Sequence, residues 1–240
     1  MEISWRRYDR QLHDLGIEGQ LKLKSSTVLV AGLGGLGSIA SVYLVAAGVG
    51  RIIIVDRDKV EETNLNRQII YTPEDIGKEK AIVAQKRLKS LNPEVEVEAY
   101  VMDVFSSEFE ELVKRTDIVI DGMDGWKQRL RINELVVKHR KPLIHAAVES
   151  WYGQLMVVIP GETPCLHCIF SDIGDRSCIR IVGPVAGVLG LMEVVEAIKL
   201  LVGKGTVLKN KLLVVDLKNT SFDFINVRRN PKCPVCGRLE

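Results

Sequence analysis

The sequence predicts an α/β fold: a Rossmann-like, mainly parallel sheet with helices on both faces, finished by a C-terminal hairpin and tail. Two observations carry the main part of that expectation. Residues 28–31 are a short apolar run, and the turn Gly32-Leu33-Gly34-Gly35-Leu36-Gly37 follows at once. Residues 38–47 then read as a small-residue helix and residues 51–55 as a β-branched strand ending on Asp56. This succession is a βαβ nucleotide-binding unit: glycines admit a phosphate to the positive end of a helix, and the acidic residue faces the ribose hydroxyls. Beyond it, strand-like and helix-like segments alternate as far as residue 159, the pattern of a parallel sheet covered on both faces.

At 240 residues, with 46% hydrophobic content, the chain is expected to form one domain over residues 1–240. A net charge of +2 gives no case for nucleic-acid binding. Residues 1–8 lack the apolar segment of a signal peptide. The longest apolar stretch, residues 181–202, carries Glu193, Glu196 and Lys199, too many charges for a membrane span. A cytoplasmic protein is the expectation. Four of the five cysteines form two C-x-x-C pairs, Cys165/Cys168 and Cys233/Cys236, with Cys178 left over. In an intracellular chain such pairs favour a metal over disulfides, and the spacing predicts a tetrahedral Zn²⁺ that clips the C-terminal tail to the loop after residue 159.

Taken in order, residues 1–24 form an N-terminal arm, helical or extended, with Trp5-Arg6-Arg7-Tyr8-Asp9-Arg10-Gln11 near its start and a short helix over 19–23. After Asp56 and Asp58, the stretch Thr63-Asn64-Leu65-Asn66-Arg67-Gln68 lies beyond the carboxyl end of the second strand, the edge where open α/β sheets bind ligands. Arginine and asparagine there suit a triphosphate. Residues 79–91 are helical by apolar spacing, with Lys80 opening the helix; by itself such a lysine reads as a solvated charge. A strand over 95–101, a helix over 105–115 and a buried strand over 117–121 follow. Asp124 then stands at a carboxyl edge facing the glycine turn, where it can hold Mg²⁺. A helix over 126–140, with Arg129 on its first turns, leads to strands at 143–148 and 154–159. Residues 160–183 show no regular period and carry three cysteines, and a loop of this length is usually functional. Pro184 opens a helix to about residue 201, Gly203 ends it, and strands at 212–217 and 222–227 form a terminal hairpin before the tail at 228–240.

Together these segments resemble the ThiF/MoeB/HesA family, relatives of the ubiquitin-activating enzymes. The resemblance rests on the arginine arm, the glycine turn, Val55-Asp56-Arg57-Asp58, Asn64-Leu65-Asn66-Arg67-Gln68, Ile76-Gly77-Lys78-Glu79-Lys80, Gly183-Pro184 with Glu196-Ala197-Ile198-Lys199, and the two cysteine pairs. It implies that Gly32, Gly34, Gly35 and Gly37 border the phosphates of ATP, with Gly35 closest, and that Asp56, with Asp58 beside it, binds the ribose. Asn64, Arg67 and Lys80 match phosphate-contacting residues, and Asp124 matches the Mg²⁺-associated aspartate. Arg10 matches an arginine that reaches the ATP of the other subunit, which implies a homodimer. Cys178 matches a loop cysteine that can link covalently to the activated partner.

The implied reaction is ATP-dependent adenylation of the C-terminal glycine of a small ubiquitin-fold carrier protein ending in Gly-Gly, for molybdopterin, thiamine or related sulfur transfer or protein tagging. The attacking carboxylate is already a nucleophile, so no general base is required. The sulfur donor is expected to be a separate protein. Where the family often has Asp-Asn, this chain has Asp124-Gly125, which removes an amide beside the base or ribose. Two other classes are weighed. An NAD-dependent oxidoreductase would use the same βαβ unit but leaves residues 64–68, Lys80 and the cysteine pairs without purpose. A noncatalytic adaptor for a ubiquitin-like partner would not need so complete a set of phosphate ligands.

Overall fold

A computed structural model describes residues 5–174 and 180–239. Its centre is an eight-stranded sheet in the order β3-β2-β1-β4-β5-β6-β7-β8. Strands β1 (Thr27–Ala31), β2 (Arg51–Val55), β3 (Glu96–Tyr100), β4 (Ile118–Asp121) and β5 (Leu143–Glu149) run parallel. Strands β6 (Tyr152–Val158), β7 (Lys211–Asp216) and β8 (Ser221–Asn226) extend the sheet antiparallel. The predicted terminal hairpin is therefore the outer edge of the main sheet. Strands β1, β2 and β4 are buried along nearly their whole length, which is why they read as continuous apolar runs without alternation.

Two apolar layers sandwich the sheet. On one face Val28, Val30, Ile52 and Ile54 pack beneath α2 (Gly35–Ala47), α3 (Lys80–Leu91) and α7 (Gly183–Val202). On the other, Leu29, Ile53 and Val119 pack beneath α4 (Ser107–Lys114) and α5 (Trp126–Lys138). Adjacent residues of one strand thus serve opposite layers. Helix α7 begins with proline in its first turn and ends on Gly203 in the left-handed region (φ 74°), as its sequence signals predict.

The N-terminal arm is helical, and the expected short helix follows it: α1 (Trp5–Ser25) is two helical stretches joined at a kink where Gly16 takes φ 71° and ψ 169°. Glycine tolerates that backbone without a Cβ clash. The segment 160–183 is not wholly irregular, because α6 (Leu166–Phe170) lies between the first pair of cysteines and beyond. Five residues are too few to show a helical period in sequence. Cys178 lies outside the described residues. No helix among the described residues is long and apolar enough to cross a membrane.

Candidate active site

Strands β2, β1 and β4 end side by side, and the turns after them enclose a cavity of about 550 Å³, within the size range of small-molecule sites. Gly32 (φ 90°) turns the chain at its floor, where a Cβ would stand 2.7 Å from the carbonyl oxygen of Gly122. The β1–α2 and β4–α5 turns therefore touch backbone to backbone. Gly34 and Gly35 line the cavity, but Gly37 does not. Gly37 serves packing instead, since a Cβ there would lie 1.9 Å from the Gly32 carbonyl oxygen. Helix α2 has no acidic residue in its first turn and no side-chain cap, which leaves its N-terminal amides for an anion.

Asp56, Asp58, Asn64, Arg67, Lys80 and Asp124 all line the same cavity. Asp56 braces the glycine turn: its Oδ2 accepts from the Leu33 amide at 2.7 Å and its Oδ1 from the Asp58 amide at 2.7 Å. Burial pushes its carboxyl up from the ordinary value, against the pull of Lys80 and these two amides. Lys80 is buried, with Nζ 3.5 Å from Asp58. Asn64 is held by its own turn, its Oδ1 accepting from the Glu61 amide at 3.0 Å. Arg67 donates from Nη1 to the Thr63 carbonyl at 2.8 Å and to Asn66 Oδ1 at 3.1 Å. Asp124 is exposed and has no hydrogen bond or ion pair with another described residue. Arg10 is exposed on α1 and does not line this cavity.

The cavity also has walls that motif reading missed. Met102, Asp103 and Val104, just after β3, close one side, and Gln68 and Gln128 contribute amides. Gln68 Oε1 and Gln128 Oε1 are buried without a hydrogen-bond partner. Beneath Met123 lies a buried polar cluster. Arg129 Nη1 donates to Asp121 Oδ2 at 3.1 Å, His145 Nδ1 lies 2.7 Å from the same oxygen, and Arg129 also donates to the carbonyls of Met123 and Ala146. Burial alone would raise the Asp121 carboxyl, but Arg129 and His145 hold it below its usual value, while burial lowers His145. The sequence signal was an acid and a histidine inside apolar strands, at Asp121 and His145.

The four paired cysteines converge from the first turn of α6 and from the tail. Every pair of their sulfurs lies within 4.8 Å, with Cys165–Cys168 at 4.0 Å, Cys165–Cys233 at 3.7 Å and Cys168–Cys236 at 3.4 Å. A tetrahedron of thiolates around Zn²⁺ at about 2.3 Å has edges of about 3.8 Å, so the donor set fits that ion. Burial pushes the Cys165 and Cys168 thiols up, Cys168 to about 11, a tendency that a bound cation reverses. The amide of Asn230 points at Cys168 Sγ from 3.4 Å, and Arg229 fastens the tail through the carbonyls of Cys236 and Leu239.

A glycine turn, a buried lysine, an arginine and carboxylates at the carboxyl edge of a parallel sheet define a nucleotide-binding α/β protein. The model of the ThiF family matches residues 8–235, and the chain belongs to that family. It is 43% identical to a sulfur carrier protein adenylyltransferase of Thermus thermophilus, over 96% of this chain and 90% of that one. It is 41% identical to the sulfur carrier protein ThiS adenylyltransferase of Escherichia coli, over 98% and 96% of the two chains. Among solved structures, E. coli MccB with MccA-N7isoASN superposes with a TM-score of 0.89 at 25% identity, covering 99% of this chain and 76% of that one. E. coli MccB with ATP gives 0.83 at 27% identity, covering 96% and 74%. None of these relatives is named as an oxidoreductase or an adaptor.

Proposed function

We propose that this adenylyltransferase transfers AMP from ATP to the C-terminal glycine carboxylate of a small ubiquitin-fold carrier protein ending in Gly-Gly. The observation that carries the reading is the convergence of Gly34, Gly35, Asn64, Arg67, Lys80, Asp56 and Asp124 on one cavity in a chain of this family. The phosphates would lie over the glycine turn at the start of α2, between Arg67 and Lys80, with the ribose against Asp56. The carrier carboxylate attacks the α-phosphorus, the bond to the β-phosphate oxygen breaks, and pyrophosphate leaves with that electron pair. Two anions must approach each other, so the cationic side chains lower their repulsion and stabilise charge on the transferring phosphoryl group. Asp124, which has no partner among the described residues, is the residue to hold Mg²⁺, which would neutralise charge on the phosphates.

Arg10 does not line its own cavity, so we assign it to the site of a second copy in a homodimer. Cys165, Cys168, Cys233 and Cys236 would hold a structural Zn²⁺. The carrier would take its sulfur from a separate donor, and four reduced cysteines suit a cytoplasmic setting. Cys178 stands as the residue for any covalent link to the carrier: Cys178→Ala should keep adenylation and lose a thiol-sensitive adduct. Mass spectrometry of a Gly-Gly-terminated carrier incubated with the enzyme, Mg²⁺ and ATP tests the reading. One added AMP at the carrier C-terminus is expected. An unmodified carrier under conditions where ATP is bound would overturn it.

A further inference from the structure

We infer that the side chain of Gln128 reads the base of the bound nucleotide, its Oε1 accepting a hydrogen bond from the exocyclic amine of adenine. The inference rests on the reading that this cavity binds ATP, and deepens it by assigning the group that selects the base.

Gln128 stands on the first turn of α5 and lines the cavity, yet its Oε1 is buried with no hydrogen-bond partner. A buried acceptor left unpaired is costly, and in a ligand cavity it marks the place of a ligand donor. The cavity is divided in character. Asn64, Arg67 and Lys80 belong to the segments on the α3 side of the sheet, whereas Met102, Val104 and Met123 pack against the α4/α5 layer that carries Gln128. The cationic side suits phosphates, and the thioether and valine side suits the flat apolar faces of a purine. Asp124 apart, which is exposed, the charged groups on that side are already engaged. Asp103 is paired with Arg57 and accepts from the Phe105 amide, while Arg129 is bound to Asp121 and to the carbonyls of Met123 and Ala146.

Gly125 makes this arrangement possible. A Cβ at position 125 would stand 2.2 Å from Gln128 Oε1 and 3.0 Å from its Cδ, so the carboxamide occupies space that only glycine leaves open. The backbone there, φ −98° and ψ 140°, is open to any residue, so conformational freedom does not account for this glycine. A carboxamide oxygen placed here meets the N–H of adenine; guanine would offer its carbonyl oxygen at the same point, acceptor against acceptor.

Equilibrium binding of ATP and of purine riboside 5′-triphosphate, which lacks only the exocyclic amine, tests this in the full chain and in two variants, each checked for folding by thermal melting. The wild type is expected to bind ATP about tenfold more tightly than the analogue, the scale of one buried hydrogen bond. In Gln128→Met, an unbranched replacement of similar length, the two nucleotides should bind alike. Gly125→Ala should shrink the preference too, by displacing the carboxamide. A Gln128→Met chain that keeps the preference, or that weakens both nucleotides in parallel, overturns the inference. A wild type that binds both equally overturns it alone, whereas a wild type that binds neither removes the nucleotide reading as well.

Discussion

At the residue scale, burial decides which charges can do chemistry. Lys80 opens a helix rich in lysine and would ordinarily be a solvated charge, yet it is buried against the cavity, and among the described residues its ion-pair partner is the exposed Asp58. A buried ammonium held for an incoming phosphate acts in a weakly screened setting, where it counts for more than on the surface. Lys80→Ala or Arg67→Ala should therefore lower adenylation by roughly two orders of magnitude or more while the melting temperature stays close to wild type, since charge stabilisation at the reacting centre is worth that much. Wild-type rates in both variants would refute the assignment. Glu193 makes the opposite case. It is fully buried on α7 without a well-formed hydrogen bond, and burial with the nearby Asp121 charge holds its carboxyl well above the ordinary value despite Arg129 and the Ala146 backbone. The folded chain keeps this proton where the unfolded chain releases it. Its contribution to stability is complete below the ordinary carboxyl pKa and fades as pH rises toward the folded value. Glu193→Gln should flatten the loss of stability as pH rises above the ordinary carboxyl range, measured by urea unfolding, with little change at the acidic end. An unchanged pH profile would mean that Glu193 is not the titrating group.

At the element scale, the parallel core was legible because its strands are buried on both sides and its turns carry glycine and acid signals. The apolar run at β1, the glycines after it and Asp56 after β2 mark strand ends on which ligands collect, and that edge is where the cavity lies. What local patterns could not convey were contacts between distant turns. Gly37 looked like a phosphate-loop residue, but it is glycine because the Gly32 carbonyl passes beneath it. Met102 to Val104 and Gln128 carry no motif, and they enter the wall only because β3 and β4 flank β2 and β1. The cysteine cluster was legible for the opposite reason, since paired C-x-x-C spacing is itself a three-dimensional signal. It joins the start of α6 to a tail that also packs Val235 and Leu239 against the core, so a bound ion should stabilise that joint. Zn²⁺ is expected at one equivalent in freshly purified reduced protein. Cys233→Ser should expose residues 228–239 to limited proteolysis before the sheet unfolds. A tail equally resistant in that variant would show that the ion does not hold it.

At the scale of the whole molecule, one chain presents a cavity that lacks Arg10 and a helix, α1, that presents Arg10 to solvent. If two copies share their sites, mixing Arg10→Ala with Arg67→Ala chains should restore part of the activity, because one hybrid site then receives both arginines. No recovery in demonstrably mixed dimers would make the arm structural. Carrier-dependent ATP–pyrophosphate exchange reaches furthest into the account, because it reports reversible attack on the α-phosphorus without requiring any later sulfur step. Exchange should appear with a ubiquitin-fold carrier whose C-terminal Gly-Gly ends in a free carboxylate, vanish when that carboxylate is amidated, and fall with Lys80→Ala. Exchange that persists with the amidated carrier, or that is absent with the free one although both it and ATP are bound, would contradict the claim that this cavity adenylates a carrier terminus.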